Sequence, residues 1–178
     1  MTSTSRRIGP AALAALGLAA ALAGCGYNLV GRATNLPADI KRVYLKPIEN
    51  RTPRQSVDQI LTRAIADELV KRQRFSLTSS RSGADAELSG AVIGFGATPV
   101  TFDQSGRATA YEIGVTAQIV FKRLSDDKVI WSNSHYTYRE SYPIDPTGAG
   151  YFDRETTALE TVAKRFSETM VSDLLEGF

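Results

Sequence analysis

The most constraining feature of this sequence is a segment in which apolar and polar residues alternate. From Tyr111 to Lys122 the odd positions are apolar, and most of the even positions are polar or glycine. Successive side chains of a β-strand point to opposite faces, so this segment predicts a long strand with one buried face. The mixed polarity of the other face is typical of an antiparallel sheet with one solvated side. The chain therefore has to provide a second layer that covers the apolar face.

Two segments carry apolar residues at helical spacing and are suited to form that layer. The first runs from Val57 to Leu69, and the second runs from Ala158 to Leu174 and begins near Asp153. Each has a polar face opposite its apolar one, which predicts two amphipathic helices. Either Thr52 or Ser56 can begin the first helix through a capping box.

The remaining β-rich runs complete the predicted fold. Gly90 and Gly94 lie inside one run and indicate a bulge or a close backbone contact. The order of strand, helix, antiparallel strands and helix predicts an α+β fold, a two-layer sandwich with both amphipathic helices packed on one face of a mainly antiparallel sheet. Besides the alternating segment, the predicted strands are Ile40–Leu45, Phe75–Thr78, Glu87–Phe102 (interrupted at Pro99) and Val129–Tyr142.

The first residues do not belong to this domain. Arg6 and Arg7 precede Ala11–Ala23, an uninterrupted run of Ala, Leu and Gly. This run is shorter than the roughly 20 apolar residues that a membrane-spanning helix needs. Basic residues, a short apolar stretch and small residues at its end are typical of a secretory signal. We interpret residues 1–24 as a signal peptide that is removed; the alternative is an alanine-rich helix buried in the fold.

The end of the leader predicts a lipid anchor. Leu22-Ala23-Gly24-Cys25 matches the bacterial lipobox, in which the thiol receives a diacylglyceryl group and the new N-terminus receives an N-acyl chain. The alternative is a cysteine that merely follows a cleavage site. Gly26, where an Asp would favour the inner membrane, predicts the outer membrane. Residues 25–38 are then a lipidated tether, and residues 39–178 form a single α+β domain facing the periplasm.

Charge and reactive residues exclude several classes of function. Arg6 and Arg7 account for the formal net charge of +2, so the mature chain is neutral and lacks the excess charge of a nucleic-acid binder. One Cys and one His exclude an internal disulfide and a zinc site built from nitrogen and sulfur ligands. No other cofactor is expected besides the lipid on Cys25.

The sequence contains none of the common catalytic motifs. GxSxG, GxxxxGK[ST], HExxH and CxxC are all missing. His135, the only imidazole, shares its predicted strand face with Trp131 and Asn133, so it is either a polar position on a half-solvated face or a catalytic base. We predict that the protein is not an enzyme.

Several short motifs follow one another in an order that resembles a known family. Across nearly the whole mature chain, the sequence is similar to the LPS-assembly lipoproteins, the lipoprotein subunit of the outer-membrane lipopolysaccharide translocon. The motifs that carry this resemblance are Cys25-Gly26-Tyr27, Asn35-Leu36-Pro37, the strand Ile40–Leu45, Glu49-Asn50-Arg51-Thr52, Arg72-Gln73-Arg74-Phe75 and the hairpin Phe102–Tyr111.

The resemblance implies a fold, a partner and a ligand. It implies two helices on a four-stranded sheet and a place inside a large outer-membrane β-barrel. There the lipoprotein acts as a plug, helps the barrel to assemble and assists lipopolysaccharide insertion into the outer leaflet. Family members are associated with lipopolysaccharide contact through basic residues in the turn between the middle strands and before the last helix, where this chain has Arg107 and Arg154. The alternative for both is a solvated or barrel-facing arginine.

Two other functions remain open from the sequence. The opening Val43–Leu69 also resembles curli-type pore lipoproteins, which form oligomeric rings of identical subunits. A membrane-anchored periplasmic enzyme is the third possibility, and it would depend on His135.

Overall fold

The described residues form eight secondary-structure elements. The computed structural model describes residues 36–144 and 151–176, with the side chains of the last helix described from residue 155 onward. All of them belong to one compact unit. In chain order the elements are β1 Arg42–Leu45, β2 Glu49–Asn50, α1 Val57–Lys71, β3 Ser76–Thr78, β4 Ala86–Phe102, β5 Ala108–Arg123, β6 Val129–Pro143 and α2 Tyr151–Glu176.

The strands form one mixed sheet. Its order is β3-β1-β4-β5-β6, and β2 pairs with β4 beyond the end of β1. The long strands β4, β5 and β6 are antiparallel, whereas β1 is parallel to both β3 and β4, and β2 is parallel to β4. Because α1 carries the chain back from the end of β1 to the start of β3, these two strands run in the same direction.

The predicted two-layer α+β arrangement is confirmed, and the sheet needs a correction. Among the described residues it has six strands, whereas the family resemblance implied four, and its short strands pair in parallel rather than antiparallel fashion. Glu49–Asn50 was not predicted, because a two-residue strand carries no periodicity that a sequence pattern could reveal.

The core lies between the helices and one face of the sheet. The odd-numbered residues of β5 from Ile113 to Phe121 are all buried there, as the alternation predicts. Leu36 is buried as well, at 6% exposure, so the core already includes the residues just before β1. The helices contribute their apolar stripes, mainly Val57, Leu61, Ile65 and Leu69 from α1 and Leu159, Val162, Phe166, Met170 and Leu174 from α2.

The start of α1 differs from the predicted capping box. Ser56, the residue before the helix, has a left-handed backbone (φ 65°) and makes no side-chain capping bond. Thr52 donates its hydroxyl to Asn50 Oδ1 at 2.8 Å, and the Asn50 amide in turn donates to the Arg54 carbonyl at 2.7 Å. The hydroxyl that would cap the helix is therefore used by an asparagine-centred turn, which closes the loop before the helix begins.

Asp85 connects the start of β4 to β1. Its carboxylate accepts the backbone N–H groups of Lys41 (3.1 Å) and Arg42 (2.8 Å) and the Arg42 guanidinium (2.9 Å). Chiefly because of the Arg42 side chain, and also because of these two N–H groups, the pKa of Asp85 is lowered from 3.8 to about 2. The ionised carboxylate is thus favoured by the folded state.

This depressed pKa gives a testable pH dependence. Asp85 contributes stability that is complete above its unfolded pKa of 3.8 and disappears as the pH falls through about 2. We expect Asp85→Asn to lower stability at pH 7 and to flatten the loss of stability between pH 4 and pH 2. Urea unfolding at a series of pH values measures both effects. Asp67→Asn is the control, since the Asp67 side chain makes no hydrogen bond or ion pair in the described part of the chain. An equal dependence of the free energy of unfolding on pH in the wild type, Asp85→Asn and Asp67→Asn would refute the assignment.

Candidate functional site

The hairpin of β4 and β5 presents an exposed apolar tip. From Thr98 to Phe102 every residue of β4 is exposed, and the side chains of Val100 and Phe102 remain 46% and 55% exposed. Register shifts between Pro99 and Thr101 and between Thr101 and Phe102 interrupt the alternation of the strand here. Val100 and Phe102, two large apolar residues that are not part of the core, therefore lie exposed at one end of the sheet.

A tight turn closes this hairpin and holds Arg107. Asp103 Oδ1 accepts the Ser105 hydroxyl (2.7 Å), the Ser105 N–H (2.8 Å) and the Arg107 N–H (2.9 Å). Gly106 has a φ of 78°, a left-handed conformation that glycine adopts without strain. The Ser105 hydroxyl and the Arg107 N–H lower the pKa of Asp103, so the turn is built around a carboxylate.

The Arg107 side chain has hydrogen-bond donors that the turn does not use. Its Nε donates to Asp103 Oδ2 at 3.1 Å and to the Ser105 hydroxyl at 3.1 Å, and the side chain is 68% exposed. The two terminal nitrogens make no bond within residues 36–144 and 155–176. A guanidinium held in this way can offer a two-pronged donor to a phosphate or carboxylate. The tip thus combines a positioned cation with exposed apolar side chains.

The other predicted site residues are placed differently. Arg154 lies in the first turn of α2, and its side chain falls outside the described residues. Cys25 also lies outside them. Its lipidation, like the removal of residues 1–24, stays a prediction.

The sheet face opposite the helices is polar, and its charges are largely balanced. Its cations pair with nearby carboxylates, as in the pairs Lys122–Asp127 (2.8 Å) and Arg139–Glu112 (3.9 Å). Each exposed pair adds little to stability, because solvent screens it. Together they leave this face without a basic stripe. Further pairs are Lys46–Glu49, Arg51–Glu49 and Arg81–Glu87.

His135 lies at an irregularity in β6 that changes its predicted face. The pairing of β5 with β6 shifts between Asn133 and Tyr136, and the His135 N–H donates to Asn133 Oδ1 at 2.9 Å. Tyr136, rather than His135, therefore continues the helix-facing side of Trp131. The exposed imidazole lies 3.1 Å from the Ser134 hydroxyl, and it has no carboxylate bonded to it in the described part of the chain. Nothing in this geometry activates it as a base.

Tyr136 makes a contact between sheet and helix that the sequence pattern did not predict. Its ring packs edge-on against Phe166, with centroids 5.1 Å apart, and its hydroxyl donates to Asp173 of α2. Burial and this bond raise the pKa of Tyr136 to about 12. The phenol thus remains a neutral donor at physiological pH and fixes α2 on the sheet.

A second polar contact joins the two helices. Glu68 is 5% exposed, and it accepts Arg72 Nε at 2.6 Å and Lys71 Nζ at 3.1 Å. Lys71 also lies 3.6 Å from Glu168 of α2. Burial alone would raise the pKa of Glu68, but the bonds from Arg72 and Lys71 outweigh it and lower the pKa. This network is structural, because each member is satisfied by its neighbours.

The described residues limit the chemistry of the domain. Residues 36–144 and 155–176 contain no group of three or more His, Cys, Asp or Glu side chains that could hold a metal ion. Neither α1 nor α2 is long and apolar enough to cross a bilayer. What they do present is the amphipathic hairpin tip and a polar sheet face with paired charges.

Comparison with known proteins identifies the family. The profile described as LptE, lipopolysaccharide-assembly, matches residues 40–174. The chain therefore belongs to the LptE lipopolysaccharide-assembly family, and the predicted resemblance is confirmed. Membership implies a membrane-associated lipoprotein that takes part in lipopolysaccharide assembly. A comparison with curated protein sequences gives no significant match.

Solved structures share the fold at low sequence identity. A putative lipoprotein from Caulobacter crescentus CB15 has a TM-score of 0.52 at 14% identity, covering 75% of this chain and 87% of its own. A minor lipoprotein from Acinetobacter baumannii has a TM-score of 0.52 at 13% identity, covering 79% and 95%. The hypothetical protein CT253 from Chlamydia trachomatis has a TM-score of 0.56 at 10% identity, covering 78% and 97%. At these identities the likeness supports the fold alone.

Proposed function

We propose that this chain is the lipoprotein partner of an outer-membrane β-barrel that inserts lipopolysaccharide into the outer leaflet. The lipid on Cys25 holds the domain on the periplasmic side of the outer membrane. The domain plugs the barrel and helps it to assemble. The observation that carries this proposal is the family match over residues 40–174, which spans nearly the whole two-layer domain.

The sheet face supports a role as a plug. The interior of a large outer-membrane barrel is polar, so a protein that lies inside it needs a polar surface whose burial there costs little free energy. The face of β4, β5 and β6 opposite the helices has this character, since its cations lie near carboxylates such as Glu112 and Asp127. A plug needs no catalytic group, which agrees with the exposed, unactivated imidazole of His135.

The hairpin tip supports contact with lipopolysaccharide. Lipid A combines phosphates with acyl chains, and the tip combines the guanidinium of Arg107 with the exposed side chains of Val100 and Phe102. The terminal nitrogens of Arg107 match a phosphate geometrically, and Asp103 holds the side chain in place. Arg154 is a second candidate through the family resemblance alone.

Purification of the native complex tests the partner. The full-length lipoprotein, extracted from outer membranes in mild detergent, should bring down one large barrel protein in stoichiometric amount. Cys25→Ser should remove the lipid, leave the domain attached to the membrane only through the barrel and reduce surface lipopolysaccharide. Recovery of a ring of identical subunits would favour the curli-type alternative. A lone monomer, with surface lipopolysaccharide unchanged on depletion, would refute the proposal.

Arg107→Ala tests the contact with lipopolysaccharide. Loss of a charge-assisted bond to phosphate should reduce retained lipopolysaccharide by about three- to tenfold. Arg107→Lys should recover only part of the loss, because an ammonium group cannot form the fork. Co-purification of radiolabelled lipopolysaccharide with the lipoprotein measures the effect. Arg81→Ala, which removes a guanidinium that is 57% exposed and paired with Glu87, is the control. An equal effect of Arg81→Ala would contradict a specific role for Arg107.

A further inference from the structure

The strand β6 forms a long edge of the sheet. It has 15 residues and lies last in the strand order, so within the described residues its outer side has no neighbouring strand. The opposite edge, β3, has only 3 residues. An edge strand presents unpaired N–H and C=O groups that can pair with another extended segment.

The register of the sheet shows which groups face outward. The Ile144 N–H donates to the Thr109 carbonyl, and Ala110 lies opposite Pro143. The backbone N–H and C=O groups of successive residues point to opposite sides of an antiparallel strand. After the irregularity at Ser134 and His135, these groups of the even-numbered residues therefore bond to β5, and those of the odd-numbered residues face away from it. The outward-facing residues are Thr137, Arg139 and Ser141.

Two features mark the ends of the outward-facing stretch from Thr137 to Ser141. On one side the pairing shifts at Ser134 and His135, where two residues of β6 oppose Gln118. On the other side Pro143 has no N–H to donate outward. Among the described residues the edge is therefore protected at both ends and open from Thr137 to Ser141, the length of a short added strand.

We propose that the edge from Thr137 to Ser141 binds an extended segment of a partner polypeptide by adding it as a strand to the sheet. This inference rests on the proposed function, because the partner is taken to be the barrel protein that holds the domain. The added strand would bond to the outward N–H and C=O groups of Thr137, Arg139 and Ser141. Main-chain bonds of this kind require an extended conformation of the partner segment and do not require one particular sequence.

A second copy of this chain is a poor occupant of the edge. The symmetric antiparallel register that pairs all three outward positions places Thr137 opposite Ser141 and Arg139 opposite Arg139 of the other copy. Like charges directly opposite each other destabilise an antiparallel pair. A different polypeptide carries no such restriction.

The side chains of the edge indicate what the added strand should carry. Arg139 lies over Gly114, where a Cβ atom would be 3.4 Å from Arg139 Cγ, and its side chain is 66% exposed with Glu112 at 3.9 Å. Thr137 shares a hydrogen bond of 2.9 Å with Thr116 on the same face. An acidic or hydroxyl side chain on the partner strand, facing the same side as Arg139, complements this surface.

Hydrogen exchange on the intact complex tests the proposal. In the lipoprotein released from its partner, the amides of residues 137, 139 and 141 should exchange rapidly and those of residues 138 and 140 slowly. In the purified complex with the barrel, the three outward amides should become protected by at least tenfold. Rapid exchange of these amides in an intact complex would overturn the inference while leaving the proposed function in place. Failure to recover any partner would instead count against the proposed function.

Two substitutions at one position separate the backbone from the side chain. Arg139→Pro removes an outward N–H without removing a bond to β5, whereas Arg139→Ala keeps that N–H. We expect Arg139→Pro to reduce the recovered partner by about tenfold and Arg139→Ala by less than threefold. Thermal unfolding of the two variants checks that they are folded. If Arg139→Pro does not fold, hydrogen exchange of the outward amides in the complex of Arg139→Ala decides the question. Equal recovery with both variants would refute strand addition.

Discussion

Replacing Gly90 by alanine is expected to lower the free energy of unfolding by about 3 kcal/mol. A Cβ atom at this position would lie 2.4 Å from the Gln118 carbonyl oxygen and 2.8 Å from Ile119 Cδ1. The Ile119 side chain can rotate, but the carbonyl belongs to the backbone of β5 and cannot move without disturbing its pairing with β4. The added methyl group therefore separates the two central strands of the sheet.

Gly96→Ala is the matched control on the same strand. A Cβ atom at Gly96 meets nothing within 4 Å, and neither glycine has a left-handed backbone. We expect this variant to be unchanged or stabilised by about 0.5 kcal/mol, because alanine restricts the unfolded chain. Urea unfolding of both variants measures the difference. A similar loss of stability at both positions would show that the close contact at Gly90 is not the cause.

The two glycines also show where prediction from the sequence stops. The pattern indicated that glycines inside β4 mark a bulge or a close contact, and both occur: the pairing shifts between Val92 and Gly94, and Gly90 has the close contact. Which glycine has which role depends on the residue across the strand pair. The pairing of Gly90 with Ile119 is set by the whole sheet, and local sequence does not contain it.

The same limit applies to strand faces. Alternation placed every buried residue of β5 correctly, because the strand is regular from Ile113 to Phe121. In β6 it failed at Ser134 and His135, where one extra residue turns His135 away from Trp131. The local signal was Asn133, whose side chain accepts the N–H two residues later, a common motif at irregular backbone.

The candidate site was partly predictable. The turn Asp103–Gly106 follows from its residues, and Arg107 followed from the family resemblance. The exposure of Val100 and Phe102 did not follow, because a strand pattern does not tell how far the helices cover the sheet. Coverage is a tertiary property, since it depends on the lengths and positions of α1 and α2 relative to the long hairpin.

Phe166→Ala should cause a loss of about 4 kcal/mol in the free energy of unfolding. Phe166 is completely buried, and its ring packs edge-on against Tyr136 at an interplanar angle of 74°. Alanine would leave a cavity where α2 meets β6, next to the bond from the Tyr136 hydroxyl to Asp173. Chemical unfolding followed by circular dichroism measures the loss.

Phe102→Ala removes the same atoms from a side chain that is 55% exposed. We expect its free energy of unfolding to change by less than about 0.5 kcal/mol, because no cavity forms. If the hairpin tip contacts acyl chains, this variant should still retain less lipopolysaccharide than the wild type. Phe166→Ala should lose lipopolysaccharide only at temperatures where the domain unfolds. The two substitutions are chemically identical, so they can be compared directly. If each variant lost lipopolysaccharide only in proportion to its loss in free energy of unfolding, Phe102 would be a residue of the fold and the tip would not be a contact surface.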